Sequence, residues 1–119
     1  METVGDRMIS PVLSIEQDES IINAAKRIYA SEIGSLLVTR DENFIGIITK
    51  TDLMLKVLMK NLDGDSTQVS EIASPTLITI DADEPLNSAK TLMHEKSIRH
   101  LPVTRNNEIV GILSTKDLR

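Results

Sequence analysis

Gly46-Ile-Ile-Thr-Lys-Thr-Asp52 returns 65 residues later as Gly111-Ile-Leu-Ser-Thr-Lys-Asp117, and this repetition decides how the chain is organised. In both stretches a glycine lies in an apolar run, a hydroxyl residue follows three positions later, and an aspartate three positions beyond that. Sliding the sequence by 65 residues aligns Leu13–Leu53 with Ile78–Leu118, and 13 of the 41 pairs are identical. Self-similarity over this length indicates one structural unit built twice in tandem.

The first copy has the pattern of a strand, a helix and a hairpin. A β-rich run at Val12–Ile15 precedes apolar residues at helical spacing over Ile21–Ile28, and Ser20 is placed to cap that helix. Two apolar runs, Leu36–Thr39 and Phe44–Thr49, are joined by a polar turn, which predicts a β-hairpin.

The second copy repeats this pattern. Thr76–Ile80 is its β-rich run, Leu86–Met93 has helical spacing, and Pro85 suits the first turn of that helix. Leu101–Thr104 and Ile109–Ser114 predict the second hairpin. An α/β fold of two similar units follows from these patterns.

A helix predicted from Asp52 to about Leu62 has apolar residues around nearly its whole circumference. Such a helix is expected to be buried, either between the two copies or against a second chain. The second copy ends at Arg119 without this helix, which we interpret as a truncation or as an edge that a partner completes. Asn61–Gln68 is the predicted linker, and the predicted domains are residues 1–62 and 63–119.

Composition excludes several classes of function. The formal charge of −5 argues against a nucleic-acid binder, because such affinity comes mostly from neutralising phosphates. No apolar run approaches the length that spans a bilayer, and no signal peptide is visible, so we expect no membrane partner. The chain has no cysteine, which suits a reducing compartment, and we expect a cytoplasmic protein.

The repeated hydroxyl-x-x-aspartate motif has two compatible interpretations. A Thr or Ser three residues before an Asp is close to a capping box, in which the two side chains only satisfy the start of a helix. The same strand-to-helix junction presents backbone N–H groups that suit an anion. A carboxylate placed there can accept hydrogen bonds from both hydroxyls of a ribose, and the glycine lets a ligand approach the backbone.

The doubled unit resembles a tandem pair of cystathionine-β-synthase (CBS) domains, known as a Bateman module. The resemblance rests on the Ser-Pro pairs at Ser10 and Ser74, on Ile98-Arg-His-Leu-Pro-Val103, and on the two Gly-to-Asp endings. It implies an α/β fold (an α+β sandwich) of two CBS units. Each unit would be a small, mostly antiparallel or mixed three-stranded sheet with helices, and a pseudo-twofold axis would relate the two.

The resemblance also implies two clefts that bind AMP, ADP, ATP or S-adenosylmethionine as a regulatory ligand rather than a cofactor. The aspartate would hold the ribose, the hydroxyl residue would lie near ribose or phosphate, and the residue after the glycine would help to frame the adenine. The basic Arg99-His100 pair favours the second cleft for phosphate over its neutral counterpart Gly34-Ser35. The residues implied for ligand binding are Ile47, Thr49, Asp52, Ile112, Ser114, Asp117, Arg99, His100, Ile98, Gly34 and Ser35.

Other chemistries have weaker support. His94 and His100 do not share a helix face, and no further ligands cluster with them, so no metal site is predicted. Ser114, His100 and Asp117 could be imagined as a triad, but no nucleophile elbow or oxyanion motif accompanies them, so we predict no enzyme.

The sequence therefore predicts a regulatory module whose ligand changes the relative orientation of its two units or of a homodimer. An effector protein, unknown from the sequence, would respond to that change. The alternative, motivated by the apolar helix after Asp52, is a dimerisation or scaffold module that binds no ligand.

Overall fold

The computed structural model describes residues 1–118. The helices and strands occur in the order that the repeat predicts. They are α1 (Val4–Arg7), β1 (Ser14–Glu16), α2 (Ile21–Ser31), β2 (Ser35–Arg40), β3 (Asn43–Thr49), α3 (Lys50–Lys60), the 3₁₀ helix η1 (Val69–Glu71), β4 (Ile80–Asp81), α4 (Leu86–Lys96), β5 (His100–Arg105), β6 (Glu108–Ser114) and the 3₁₀ helix η2 (Thr115–Leu118).

The strands form two three-stranded mixed sheets, in the orders β1-β2-β3 and β4-β5-β6. In each sheet the first pair of strands is parallel and the second pair is antiparallel. The parallel pair is joined through a helix (α2 or α4), as a crossover between parallel strands requires. The predicted α/β fold of two similar units is confirmed.

Two-residue turns with left-handed backbone close both hairpins. Asp41 and Glu42 have φ of 50° and 68°, and Asn106 and Asn107 have φ of 54° and 66°. Positive φ at both central residues is the type I′ geometry, whose twist matches that of the flanking strands. The turns therefore fix the register that places the start of β2 opposite the end of β3, and likewise β5 opposite β6.

The first helix of each copy packs its apolar stripe on its own sheet. In α2 the stripe includes Ala24 and Ile28, and Ser20 caps the helix by accepting a hydrogen bond from the Asn23 amide at 3.3 Å. Pro85 occupies the N-cap of α4 rather than its first turn, and its side chain makes no capping bond.

The chain divides into two compact units whose composition the repeat alone does not show. Unit 1 contains residues 1–12 and 78–119, and unit 2 contains residues 13–77. Val4, from the start of the chain, lies in the core of unit 1, and Val69 and Ile72 lie in the core of unit 2. The segment before the first copy of the repeat thus completes the core of unit 1, which contains the second copy. The segment before the second copy completes the core of unit 2, which contains the first copy. We call these two segments the leading segments. The division of the chain into CBS-like repeats at residues 1–62 and 63–119 stays a prediction.

The helix after Asp52 is not buried in the single chain, and its predicted packing against a second chain stays a prediction. In α3 the side chains of Met54, Leu55, Leu58 and Met59 are 52–81% exposed, and no residue of the helix is fully buried. Its remaining apolar side chains are half-buried against the core of unit 2. Leu118, near the end of the second copy, is half-buried against the core of unit 1, and the expectation about Arg119 lies outside the described residues.

Candidate functional site

In unit 2, the predicted Thr49–Asp52 pair forms a complete capping box at the start of α3. The Asp52 carboxylate accepts hydrogen bonds through Oδ2 from the Thr49 amide at 3.0 Å and from the Thr49 hydroxyl at 3.0 Å. The Asp52 amide in turn donates to Thr49 Oγ1 at 3.1 Å. These bonds satisfy orphan groups at the helix start and hold the carboxylate back against the end of β3.

Unit 1 repeats this arrangement at the end of β6. Asp117 Oδ2 accepts from the Ser114 amide at 2.8 Å and from the Ser114 hydroxyl at 2.9 Å. Ser114 is buried, and Asp117 is half-buried. The repeated sequence motif therefore has the same hydrogen-bonded structure in both units, with a carboxylate fixed at a strand-to-helix junction in each.

The predicted residues at the start of the first hairpin lie beside this junction in unit 2. Ser35 is buried and is the register partner of Thr49. The Gly34 carbonyl accepts a hydrogen bond from the Lys50 amide at 2.9 Å. The structure thus brings Gly34, Ser35, Thr49 and Asp52 together within unit 2.

The corresponding residues of unit 1 differ in polarity and in exposure. His100 is half-buried and is the register partner of Ser114, and the Arg99 carbonyl accepts from the Thr115 amide at 3.0 Å. The Arg99 side chain is exposed, whereas Ile98 packs against the core of unit 1. Ile98 is therefore only partly accessible, and the two basic residues lie at the junction that contains Asp117.

The glycine of the motif accommodates the protein's own leading segment in unit 2. Ile47 and Ser74 exchange backbone hydrogen bonds of 3.0 and 2.9 Å. A Cβ placed on Gly46 would overlap the Ser74 carbonyl oxygen. The side of Gly46 to which a Cβ would point is thus occupied by a polypeptide segment, and the expectation that the glycine admits a ligand to the backbone stays a prediction. The Ile47 side chain is 9% exposed.

Unit 1 has the same pairing between Ile112 and Ile9. Their backbone groups exchange hydrogen bonds of 2.9 and 2.8 Å, and Ile112 is 6% exposed. A Cβ on Gly111 would meet the Met8 sulfur at 2.5 Å and the Ile9 carbonyl oxygen at 3.0 Å. Sequence reasoning missed these leading segments at the motif. The Ser-Pro pairs, which match at a shift of 64 rather than 65, were the available signal.

Two basic side chains that sequence reasoning did not select contact the paired aspartates. Lys56 Nζ lies 3.1 Å from Asp52 Oδ1, and it also donates to the Ile72 carbonyl at 2.8 Å. The spacing of four residues between Asp52 and Lys56 was the signal for this pair. In unit 1 the Arg7 guanidinium donates to the backbone carbonyl of Asp117 at 2.7 Å.

Arg7 is also paired with Glu2 through two hydrogen bonds of 2.7 and 3.0 Å. These bonds raise the pKa of Arg7 and lower the pKa of Glu2. A pair of opposite charges therefore lies beside the backbone of Asp117. A bidentate guanidinium of this kind is the geometry that also recognises phosphate.

Each unit has a cavity, and the cavity of unit 2 borders the hydroxyl–aspartate motif through Lys50 and Leu53. In unit 2 a cavity of about 750 Å³ lies between α2 and α3 and is lined by residues that include Ile28, Tyr29 and Leu53. In unit 1 a groove of about 590 Å³ follows α4 and carries Asp81 and Glu84. Ile33, which directly precedes Gly34 and Ser35 and which the family resemblance also implies as a pocket residue, lines the unit 2 cavity. The other residues implied for ligand binding line neither cavity.

Two further observations concern metals and membranes. Within residues 1–118, no group of three or more His, Asp or Glu side chains is arranged to hold a metal ion. None of the helices in this described part of the chain has the length and apolar character needed to cross a bilayer.

Comparison with known proteins identifies relatives for the whole chain. The CBS domain model matches twice, over residues 4–58 and 69–119. The CBS domain-containing protein YhcV of Bacillus subtilis is 30% identical over 118 residues, which cover 99% of this chain and 84% of YhcV. The uncharacterized protein MK0525 of Methanopyrus kandleri is also 30% identical, and this chain, matched over 98% of its length, spans 60% of that protein.

A solved structure agrees with the fold. The CBS domain pair of protein MJ0100, crystallised in complex with 5′-methylthioadenosine and S-adenosyl-L-methionine, superposes with a TM-score of 0.88 and 28% identity. The match covers 99% of this chain and 93% of that one. With its repeated motif, its two mixed sheets and these relatives, the chain belongs to the CBS domain family as a tandem CBS pair.

Proposed function

We propose that this chain is a regulatory module that binds a small adenosine-type ligand and catalyses no reaction. The observation that carries the proposal is the pair of aspartates, Asp52 and Asp117, each fixed by a hydroxyl residue at a strand-to-helix junction. The relative MJ0100, whose CBS pair was crystallised with two adenosine compounds, supports this ligand class. AMP, ADP, ATP and S-adenosylmethionine are the candidates.

The chemistry of the proposed site follows from its polar groups. An ionised carboxylate accepts hydrogen bonds only, so it suits the two hydroxyls of a ribose. The phosphate would be held in unit 1, where Arg99 is exposed and His100 lies opposite Ser114. The proposed ligand-binding residues are Ile47, Thr49, Asp52, Ile112, Ser114, Asp117, Arg99, His100, Ile98, Gly34 and Ser35.

The proposed mechanism is a shift of population. A ligand that binds one relative orientation of the two CBS domains, or of a homodimer, more tightly than another favours that arrangement. An effector protein would then respond to the favoured state, so ligand and effector would be coupled reciprocally. The absence of cysteine in the sequence supports a cytoplasmic location for this activity.

Thermal unfolding with AMP, ATP and S-adenosylmethionine tests the proposal. A ligand at one hundred times its Kd stabilises the folded state by about 2.7 kcal/mol. At roughly 4 °C per kcal/mol for a domain near this size, the midpoint should rise by about 10 °C. If no adenosine compound raises the midpoint, the proposed function is wrong. If Asp117→Ala retains the full rise, the assignment of Asp117 to the ligand site is wrong.

A second candidate is a dimerisation module that needs no ligand, and the exposed apolar surface of α3 favours it. Leu58 and Met59 are 78% and 81% exposed, which is unusual for adjacent large apolar side chains on one helix. This candidate predicts a homodimer whose mass in light scattering does not change with nucleotide. A monomer at micromolar concentration would contradict it.

A further inference from the structure

Lys56 forms an ion pair with Asp52, the residue of unit 2 whose carboxylate the proposed function assigns to ribose binding. Its Nζ lies 3.1 Å from Asp52 Oδ1 and 2.8 Å from the Ile72 carbonyl oxygen, so it is held by two acceptors. The Asp52 side chain is 17% exposed, and that of Lys56 is 40% exposed. The protein itself therefore supplies a partner for the Asp52 carboxylate, and of the two side chains Lys56 is the more exposed to solvent.

Counting acceptor positions shows what remains for a ligand. A carboxylate offers roughly four lone-pair positions, two on each oxygen. The Thr49 amide and hydroxyl use both positions of Asp52 Oδ2, and Lys56 uses one position of Oδ1. One position is left, whereas a ribose 2′,3′-diol brings two O–H donors.

Asp117 provides the contrast within the same molecule. Ser114 donates twice to Asp117 Oδ2, and no residue among 1–118 donates to Asp117 Oδ1. Both positions of that oxygen are thus available to a diol. The two aspartates belong to the same sequence motif, but they differ in the number of hydrogen-bond acceptor positions left for a ligand.

We propose that Lys56 competes with one ribose hydroxyl for Asp52 and thereby removes the ribose selectivity of the unit 2 site. This inference rests on the proposed function, because it concerns how the same aspartate meets an adenosine-type ligand. The Asp52 site then binds adenosine and 2′-deoxyadenosine about equally, while the Asp117 site prefers adenosine. Lys56 acts through Asp52 and is a specificity-determining residue.

The experiment isolates each site and measures a ratio of affinities. Calorimetric titration of Asp117→Asn with adenosine and 2′-deoxyadenosine reports on Asp52 alone, and Asp52→Asn reports on Asp117 alone. At Asp52 we expect adenosine and 2′-deoxyadenosine to bind with about equal affinity. Adding Lys56→Met should raise the preference for adenosine to about three- to tenfold, the range of one additional hydrogen bond. The Asp117 site should show about three- to tenfold without further change.

Lys60→Met is the matched control, because Lys60 lies one turn further along α3, is exposed, and has no hydrogen bond or ion pair with Asp52. It removes the same charge and should leave the ratio at Asp52 unchanged. Met is a good helix former, so α3 should persist in both variants. If an Asp→Asn variant does not fold, both sites are titrated together in Lys56→Met and in the unmodified chain. Only one of the two adenosine to 2′-deoxyadenosine affinity ratios, that of the Asp52 site, should then change.

The outcomes separate the two proposals. If none of adenosine, AMP, ADP, ATP and S-adenosylmethionine binds the unmodified chain, the proposed function fails and this inference falls with it. If adenosine binds but the ratio at Asp52 is the same with Lys56 and with Met, the inference alone is wrong. A three- to tenfold preference at Asp52 in the presence of Lys56 would also overturn it.

Discussion

Gly46→Ala should destabilise unit 2 although alanine suits the backbone conformation at that position. No glycine of the described chain has a positive φ, so the substitution carries no conformational penalty. A Cβ on Gly46 would, however, overlap the Ser74 carbonyl oxygen, which is backbone and cannot rotate away. The leading segment must therefore separate from β3.

The magnitude follows from what that separation breaks. The Ile47–Ser74 exchange comprises two backbone hydrogen bonds of 3.0 and 2.9 Å. Each contributes about 0.5–1.5 kcal/mol net, and a buried polar group left unpaired costs about 1–3 kcal/mol. We expect a loss of about 2–4 kcal/mol in the free energy of unfolding, or a midpoint lower by about 8–16 °C.

Urea unfolding followed by circular dichroism measures this loss as a lower midpoint with an unchanged slope. Gly64→Ala is the control, because its Cβ would lie 3.5 Å from the nearest Ile22 atom, an ordinary contact. Gly111→Ala should be milder than Gly46→Ala, since the first atom it meets is the flexible end of Met8. The reasoning is refuted if Gly46→Ala and Gly64→Ala are equally stable.

Three further predictions follow from other parts of the structure. Residues 13–77 alone should unfold cooperatively in urea, whereas residues 1–62 should not, because the shorter piece lacks the η1 residues of the unit 2 core. Leu58→Glu should leave the unfolding midpoint nearly unchanged, because the side chain is 78% exposed, yet it should convert a dimer to a monomer in light scattering. The hydrogen bond from the Thr3 amide holds the pKa of Asp6 below the ordinary value of 3.8. Its stabilising contribution is therefore present above that value and is lost as the pH falls through the lowered pKa, which carboxyl NMR titration of Asp6 checks.

Local patterns were sufficient to predict most of the fold. The hairpins were predictable because each has a two-residue polar turn between apolar runs, and the helix after Thr49 because hydroxyl-x-x-aspartate is a capping signal. The same local signal placed Thr49 and Asp52 together, and Ser114 and Asp117 together.

Features that depend on distant parts of the chain were not predictable from these patterns. The pairing of Ile9 with Ile112 joins opposite ends of the sequence, and no spacing rule specifies it. The exposure of Leu58 contradicts the inference from an apolar circumference, because composition does not show how much of a helix the fold covers. The contact of Lys56 with the Ile72 carbonyl depends on where η1 lies, although its pairing with Asp52 had a helical spacing.

The exchange of leading segments orders events during synthesis of the chain. Residues 13–77 can fold as soon as they leave the ribosome, since unit 2 is continuous. Residues 1–12 are made before unit 2 and have no partner until the strand that contains Ile112 emerges. At about 5–20 residues per second this delay is about 5–20 s. Residues 1–12 therefore wait for a strand made about 100 residues later, and deleting either copy of the repeat would remove the packing partner of a segment that precedes the other copy.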